Sequence, residues 1–225
     1  RMRQSLAILD LGDTDLAELP EEAFYGKRTL QSVILPKALK KIGKRAFMDC
    51  RGLKGNLVLP LTITDIGDEA FKNCRGLTGE LVLPPNITHI SSGAFENCLG
   101  FTKLTLPPGV TVIGSGAFQG CNGFTGNLIL PASVTSIESQ AFSDCSSFTG
   151  DLVIPSNVIS IGNSAFFCCE HLFPVYCKAL VPPTIPFNGT CFSNTSQLYI
   201  PLNCTEIYSS KDGWKEFGSI QEFRF

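Results

Sequence analysis

The chain has 225 residues and a formal net charge of −2, so it carries no broad basic field of the kind that holds nucleic acid or anionic lipid. Its hydrophobic fraction of 44% supplies a substantial core and excludes disorder. No apolar run approaches the roughly 20 residues that a spanning helix needs.

Arg1-Met2-Arg3-Gln4 reads as a truncated or processed start, so any export signal or lipid anchor would lie outside this sequence. Residues 1–8 are expected to frame an incomplete cap. Leu9-Asp10-Leu11, Leu16, Leu19 and Ala23-Phe24 then form an irregular first coil within residues 1–30.

From residue 31 to 170 one unit recurs every 23 or 24 residues. Pro36, Pro60, Pro84, Pro107, Pro131 and Pro155 mark one column. Phe47, Phe71, Phe95, Phe118, Phe142 and Phe166, each after Ala, mark another. The pairs Val33/Leu35, Leu57/Leu59, Leu81/Leu83, Leu104/Leu106, Leu128/Leu130 and Leu152/Ile154 alternate with period two and stop at the proline, which predicts a short strand ended by the missing donor. Turn residues such as Pro85-Asn86 and Pro108-Gly109 follow, and then an inward Ile pair exemplified by Ile63 and Ile66, closing on a bend at Gly43, Gly67, Gly114 and Gly162. Ala-Phe-x-x-Cys reads as a short helical turn. The short unit lacks a counterpart of the glycine before Glu80 or Asn127, between Phe101 and Leu104, and a surface loop is expected there.

One unit cannot bury its apolar columns alone, so coils must stack. The predicted fold is a right-handed α/β solenoid over residues 1–225, with one short parallel strand and one short helical turn per coil. Residues 171–225 diverge, through Tyr176-Cys177 to Pro183 and Leu198-Tyr199-Ile200-Pro201. Trp214 and Phe217 are placed to plug the open end of the core.

The unit Leu-x-Leu-Pro-x-x-Val/Ile-x-x-Ile-Gly-x-x-Ala-Phe-x-x-Cys resembles the BspA-like leucine-rich repeats of bacterial cell-surface proteins, over roughly residues 9–225. The end, Ile200-Pro201 through Asp212-Gly213-Trp214 and Phe217, also resembles that family's closing cap. The resemblance implies a surface or secreted protein that adheres to host proteins such as fibronectin and fibrinogen, or to neighbouring cells.

Ten cysteines would ordinarily raise a disulfide framework or a metal site, but Cys50, Cys74, Cys98, Cys121, Cys145 and Cys169 share one repeat column and read as core filler. Cys168, Cys177, Cys191 and Cys204 lie off the column, where one bridge could staple the last coils of an exported protein. His89 occupies a column shared with Lys41 and Asp65, and His171 lies beside Glu170; both read as surface positions. No nucleophile elbow, phosphate loop, zinc-protease signature or dinucleotide fingerprint occurs, so no catalysis, metal or cofactor is expected. Sequons at Asn86, Asn188, Asn194 and Asn203 are at the level of chance.

The informative column is the strand residue between the two buried ones: Asp10, Ile34, Val58, Val82, Thr105, Ile129 and Val153, with Tyr199 as a further member. Alternation turns these outward, yet most are apolar. Beside them run Ser32, Asn56, Glu80, Lys103, Asn127 and Asp151. Two readings fit: β-branched residues that merely suit stacked strands, or a binding strip for protein or glycan. A structural spacer holding another domain away from a cell is the alternative function.

Overall fold

The computed structural model describes residues 7–186 and 191–225, so expectations for residues 1–6 and for Asn188 lie outside the described residues. The chain winds through about nine turns of a parallel β-solenoid. One set of strands carries the outward column. Ile8–Asp10 pairs with Ser32–Ile34; Lys54–Asn56, Gly76–Val82 and Gly100–Thr105 form a second group; Gly150–Ile154, Leu172–Cys177, Gln197–Pro201 and Ser219–Phe223 form a third.

A second ladder was not anticipated from the sequence. Glu18–Leu19, Lys41–Ile42 and Asp65–Ile66 pair in parallel, as do His89–Ile90, Val112–Ile113, Ser136–Ile137 and Ser160–Ile161. Most coils therefore contribute to two ladders rather than to one strand. At Gly43, Gly67, Gly114 and Gly162 the glycine that follows the buried isoleucine lets the coils close up, although the ladder also runs through Ile137-Glu138 without one. A Cβ on Gly43 would sit 2.6 Å from Glu21 N, and one on Gly67 would sit 2.6 Å from Lys44 N. Lacking one, the coils approach closely enough for backbone pairing.

The expected helical turn per coil is also corrected. Ala-Phe-x-x-Cys folds as consecutive tight turns, and the only helix among the described residues is Thr205–Ser209. Amides there alternate between two kinds of acceptor. Ala46, Met48 and Cys50 donate three residues back, to Gly43, Arg45 and Phe47, whereas Arg45, Phe47 and Asp49 donate to Asp68, Ala70 and Lys72 of the next coil. An α-helix would direct its amides along its own axis and leave none for stacking. The alternation needs left-handed residues, and Arg45, Asp49, Glu69, Asn73, Asn97 and Asp144 all have positive φ.

The missing residue of the short unit lies within a strand, since Gly100–Thr105 runs through the position without a loop. What is lost is a bulge. Gly79 has φ +79° and the register against Gly100–Thr105 shifts between Gly79 and Glu80. Without that left-handed glycine the chain stays extended.

The buried side chains form one cluster. At its centre Phe24, Phe47, Phe71, Phe95, Phe118, Phe142, Phe166 and Phe192 stack with ring centroids 5.2–5.8 Å apart. The column ends at Trp214 and Phe217, 5.6 and 5.5 Å from Phe192. Trp214 Nε1 donates to the Pro183 carbonyl at 2.8 Å and Tyr208 Oη to that of Ala179 at 2.7 Å, so the closing residues cover the core while satisfying their own polar atoms. All ten cysteines are free thiols, so the suggested C-terminal bridge is absent.

Candidate functional site

The outward column is built by the pleat. Leu81 and Leu83 are buried on either side of Val82, and Leu152 and Ile154 on either side of Val153. Val58 and Ile129 are 78% and 76% exposed, and Ile34 and Val82 are 51% and 49% exposed. Thr105 and Val153 are half-buried. Thr105 is held down by its own hydroxyl, which donates to Glu80 Oε1 at 2.7 Å; Val153 is flanked by the larger Tyr176 in register.

Beside this column Glu80, Lys103 and Asn127 are all exposed. Glu80 and Lys103 pair at 2.9 Å. The hydrogen bond from Thr105, and then that from Lys103, holds the Glu80 carboxyl below its ordinary range, so this part of the polar column stays ionised and locally neutralised.

The expected strands at Leu57–Leu59 and Leu128–Leu130 do not join the ladder. Among the described residues no backbone hydrogen bond ties either segment to its neighbouring coils. Both follow a left-handed glycine and an asparagine, Gly55-Asn56 and Gly126-Asn127. In both, the asparagine Oδ1 lies against the glycine of the next coil, Asn56 against Gly79 and Asn127 against Gly150. These are the two coils whose outward residues stand furthest into solvent.

A groove of about 670 Å³ opens between the short unit and the second of these segments, over Leu104, Leu106, Ile129 and Pro131, with Lys103 and Asn127 at its rim. The aromatic spacing widens at the same place: Phe101 and Phe124 are 6.2 Å apart, whereas Phe124 and Phe148 are 5.3 Å apart. The sequence-predicted residues Thr105, Ile129, Lys103 and Asn127 meet here. Glu80 joins them through Lys103 and Thr105, whereas Ile34, Val58, Val82 and Val153 lie elsewhere along the outward column.

The column continues further than the repeat suggested. Val153 is in register with Tyr176, Tyr176 with Tyr199, and Tyr199 with Gln221. Tyr176 and Tyr199 stack at 4.6 Å, and Phe223 packs edge-on against both. The signal for Tyr176 was present as the alternation Val175-Tyr176-Cys177, whose flanking residues are buried. His89 and His171 are exposed, as a surface reading requires. Among the described residues no three His, Cys, Asp or Glu side chains converge in a way that could hold a metal, and no helix is long and apolar enough to cross a membrane.

Comparison with known proteins places the repeat. Six copies of the BspA type leucine rich repeat region match, over residues 17–149 and 123–211. No curated protein matches the chain. Among solved structures, the chain is similar to a leucine-rich repeat protein of T. pallidum, with 29% identity and a TM-score of 0.65, covering 74% of this chain and 78% of that one. It is also similar to a leucine-rich repeat protein from Bacteroides ovatus, with 22% identity and a TM-score of 0.69, covering 96% of this chain and 61% of that one. The pneumococcal vaccine antigen PcpA shares the fold at 18% identity and a TM-score of 0.57, covering 97% of this chain and 67% of that one. This chain therefore spans less than two thirds of the Bacteroides protein. With the family's repeat matched over residues 17–211, the chain belongs to the BspA-type leucine-rich-repeat family.

Proposed function

We propose that this chain is a non-catalytic binding module, displayed on a cell surface or secreted, that engages a partner protein along the column from Ile34 to Val153. The observation that carries this reading is the set of β-branched residues left in solvent on three successive coils at Ile34, Val58 and Val82, and again past Thr105 at Ile129. A contiguous exposed apolar stripe is unusual on a soluble protein and commonly marks an interaction face. Glu80, Lys103 and Asn127 give it a polar margin, as interfaces with an apolar centre usually have. Recognition is by shape and surface complementarity, with no bond made or broken.

The test is binding of the chain to immobilised fibronectin and fibrinogen, compared with a Val58→Asp/Ile129→Asp variant. Both side chains point into solvent, so the variant should fold normally, with an unchanged unfolding midpoint. A charge placed at each position should weaken binding by about tenfold or more, given the cost of burying an unpaired carboxylate. Equal binding by the two proteins would leave the column inert and favour a spacer.

A further inference from the structure

We infer a second binding site, on the divergent coils rather than the repeat column, that takes a short acidic segment of another protein bearing apolar side chains. A groove of about 420 Å³ lies over Ile159, Leu180, Val181 and Pro182, with Lys178 and Lys211 at its margin. Ile159, Leu180 and Val181 are all strongly exposed. Ile159 also breaks a repeat column. The equivalent residues Thr64, Thr111 and Thr135 each donate a hydroxyl to a backbone carbonyl of the preceding coil. Isoleucine forgoes that bond and places an aliphatic group in water, where threonine would satisfy the fold better.

The charge at this groove identifies the occupant. No carboxylate lines it. Among the described residues neither Lys178 nor Lys211 sits within 4 Å of a carboxylate, a state they share with other exposed cations such as Lys37, Lys40 and Lys54. Lys178 Nζ instead lies 5.6 Å from the centre of the Phe225 ring, which holds it beside the groove without neutralising it. On a chain of net charge −2 this is a local cationic margin around an apolar floor. Its complement is an anionic, apolar segment. Two lysines are too few to hold a protein on an anionic bilayer by charge, and a concave floor suits inserted side chains better than a lipid surface.

The test is selection of a phage-displayed random peptide library on the full folded chain. Enrichment of segments that combine Asp or Glu with Leu, Ile, Val or Phe is expected. A synthetic peptide of an enriched sequence should then bind at least about tenfold more weakly to Lys178→Glu/Lys211→Glu and to Leu180→Ser, while Val58→Asp/Ile129→Asp binds it as the wild type does. These positions are exposed, so unchanged unfolding midpoints should accompany the loss. The proposal is overturned if no such segments are enriched, if the enriched peptide binds the groove variants undiminished, or if it is lost with the column variant. Binding of phosphatidylserine vesicles with the same dependence on Lys178 and Lys211 would assign the patch to a membrane surface instead.

Discussion

Cys74, Cys98 and Cys121 each fill space and donate a hydrogen bond. Their Sγ atoms lie 3.0–3.1 Å from the carbonyls of Phe47, Phe71 and Phe95 in the preceding coil. The Phe47 carbonyl also accepts the Cys50 amide, so the thiol occupies the second lone pair of an oxygen that the cross-coil ladder bypasses. A thiol is small enough for the site and a weak donor that needs little in return. Burial pushes Cys50 up to about 11 and Cys121 up to about 12, which leaves no reactive thiolate at neutral pH. At pH 8 a thiol reagent should therefore label the native chain only at the partly exposed Cys168, and slowly, and label all ten cysteines once the chain is denatured. Cys98→Ala should cost about 1–2 kcal/mol by chemical denaturation. The column itself was legible from spacing alone. Its hydrogen bond was not, because that depends on which carbonyls the alternating turns leave free.

The same scale holds an acid-sensitive contact. Arg45 bridges Glu22 at 3.6 Å and Glu69 at 2.6 Å, and Lys72 links Glu69 to Glu96 at 3.0 and 2.8 Å. The hydrogen bond from Arg45 is the main reason the Glu69 carboxyl titrates below its ordinary 4.5. A depressed carboxylate contributes stability that is fully present above the unfolded value and disappears as pH falls through the folded one. Glu69→Gln should thus lower stability at pH 7 while narrowing the gap between pH 7 and pH 3. The effect should stay below about 1 kcal/mol, because Arg45 remains partly in solvent.

At the scale of elements, the periodicity announced that a strand, a bend and a compact turn recur, but not how their amides are shared. Spacing of apolar residues reports burial, and a helical turn and a run of tight turns bury Ala, Phe and Cys alike. The left-handed residues separate the two: Arg45, Asp49, Asn73 and Asn97 do not announce that conformation by type, whereas Gly26, Gly93, Gly116 and Gly120 hold the same columns in other coils, a signal that apolar spacing does not use. Glycine was informative where coils touch. Gly67→Ala drives a Cβ against the Lys44 backbone and should cost roughly 3 kcal/mol. Gly126→Ala meets open space and incurs only the strain of its φ of +73°, about 1 kcal/mol. Equal costs in urea unfolding would mean that the coils are spaced more widely at Gly67 than described. The candidate column was likewise legible by alternation, whereas the two unpaired segments within it were not. Asn56 and Asn127 look as ordinary in sequence as Glu80 and Asp151, and the carboxamides they set against the glycine of the next coil are visible only in the fold.

At the scale of the molecule, each coil is stabilised chiefly by its neighbours, so the ends decide how far order extends. Trp214 closes the phenylalanine column, and Trp214→Ala should cost about 3–5 kcal/mol and broaden the unfolding transition as the last coils open first. The regular coils give a rigid support on which the outward residues vary freely, which is the form a binding surface needs. Hydrogen exchange on a complex tests this most directly. In the free chain Leu57–Leu59 and Leu128–Leu130 should exchange fast, since their amides lack cross-coil partners. With fibronectin or fibrinogen bound, these two segments should become the most strongly protected of the regular repeats. Protection confined to the Ala-Phe-x-x-Cys turns, with residues 57–59 and 128–130 unchanged, would contradict the assignment of the column as the binding face.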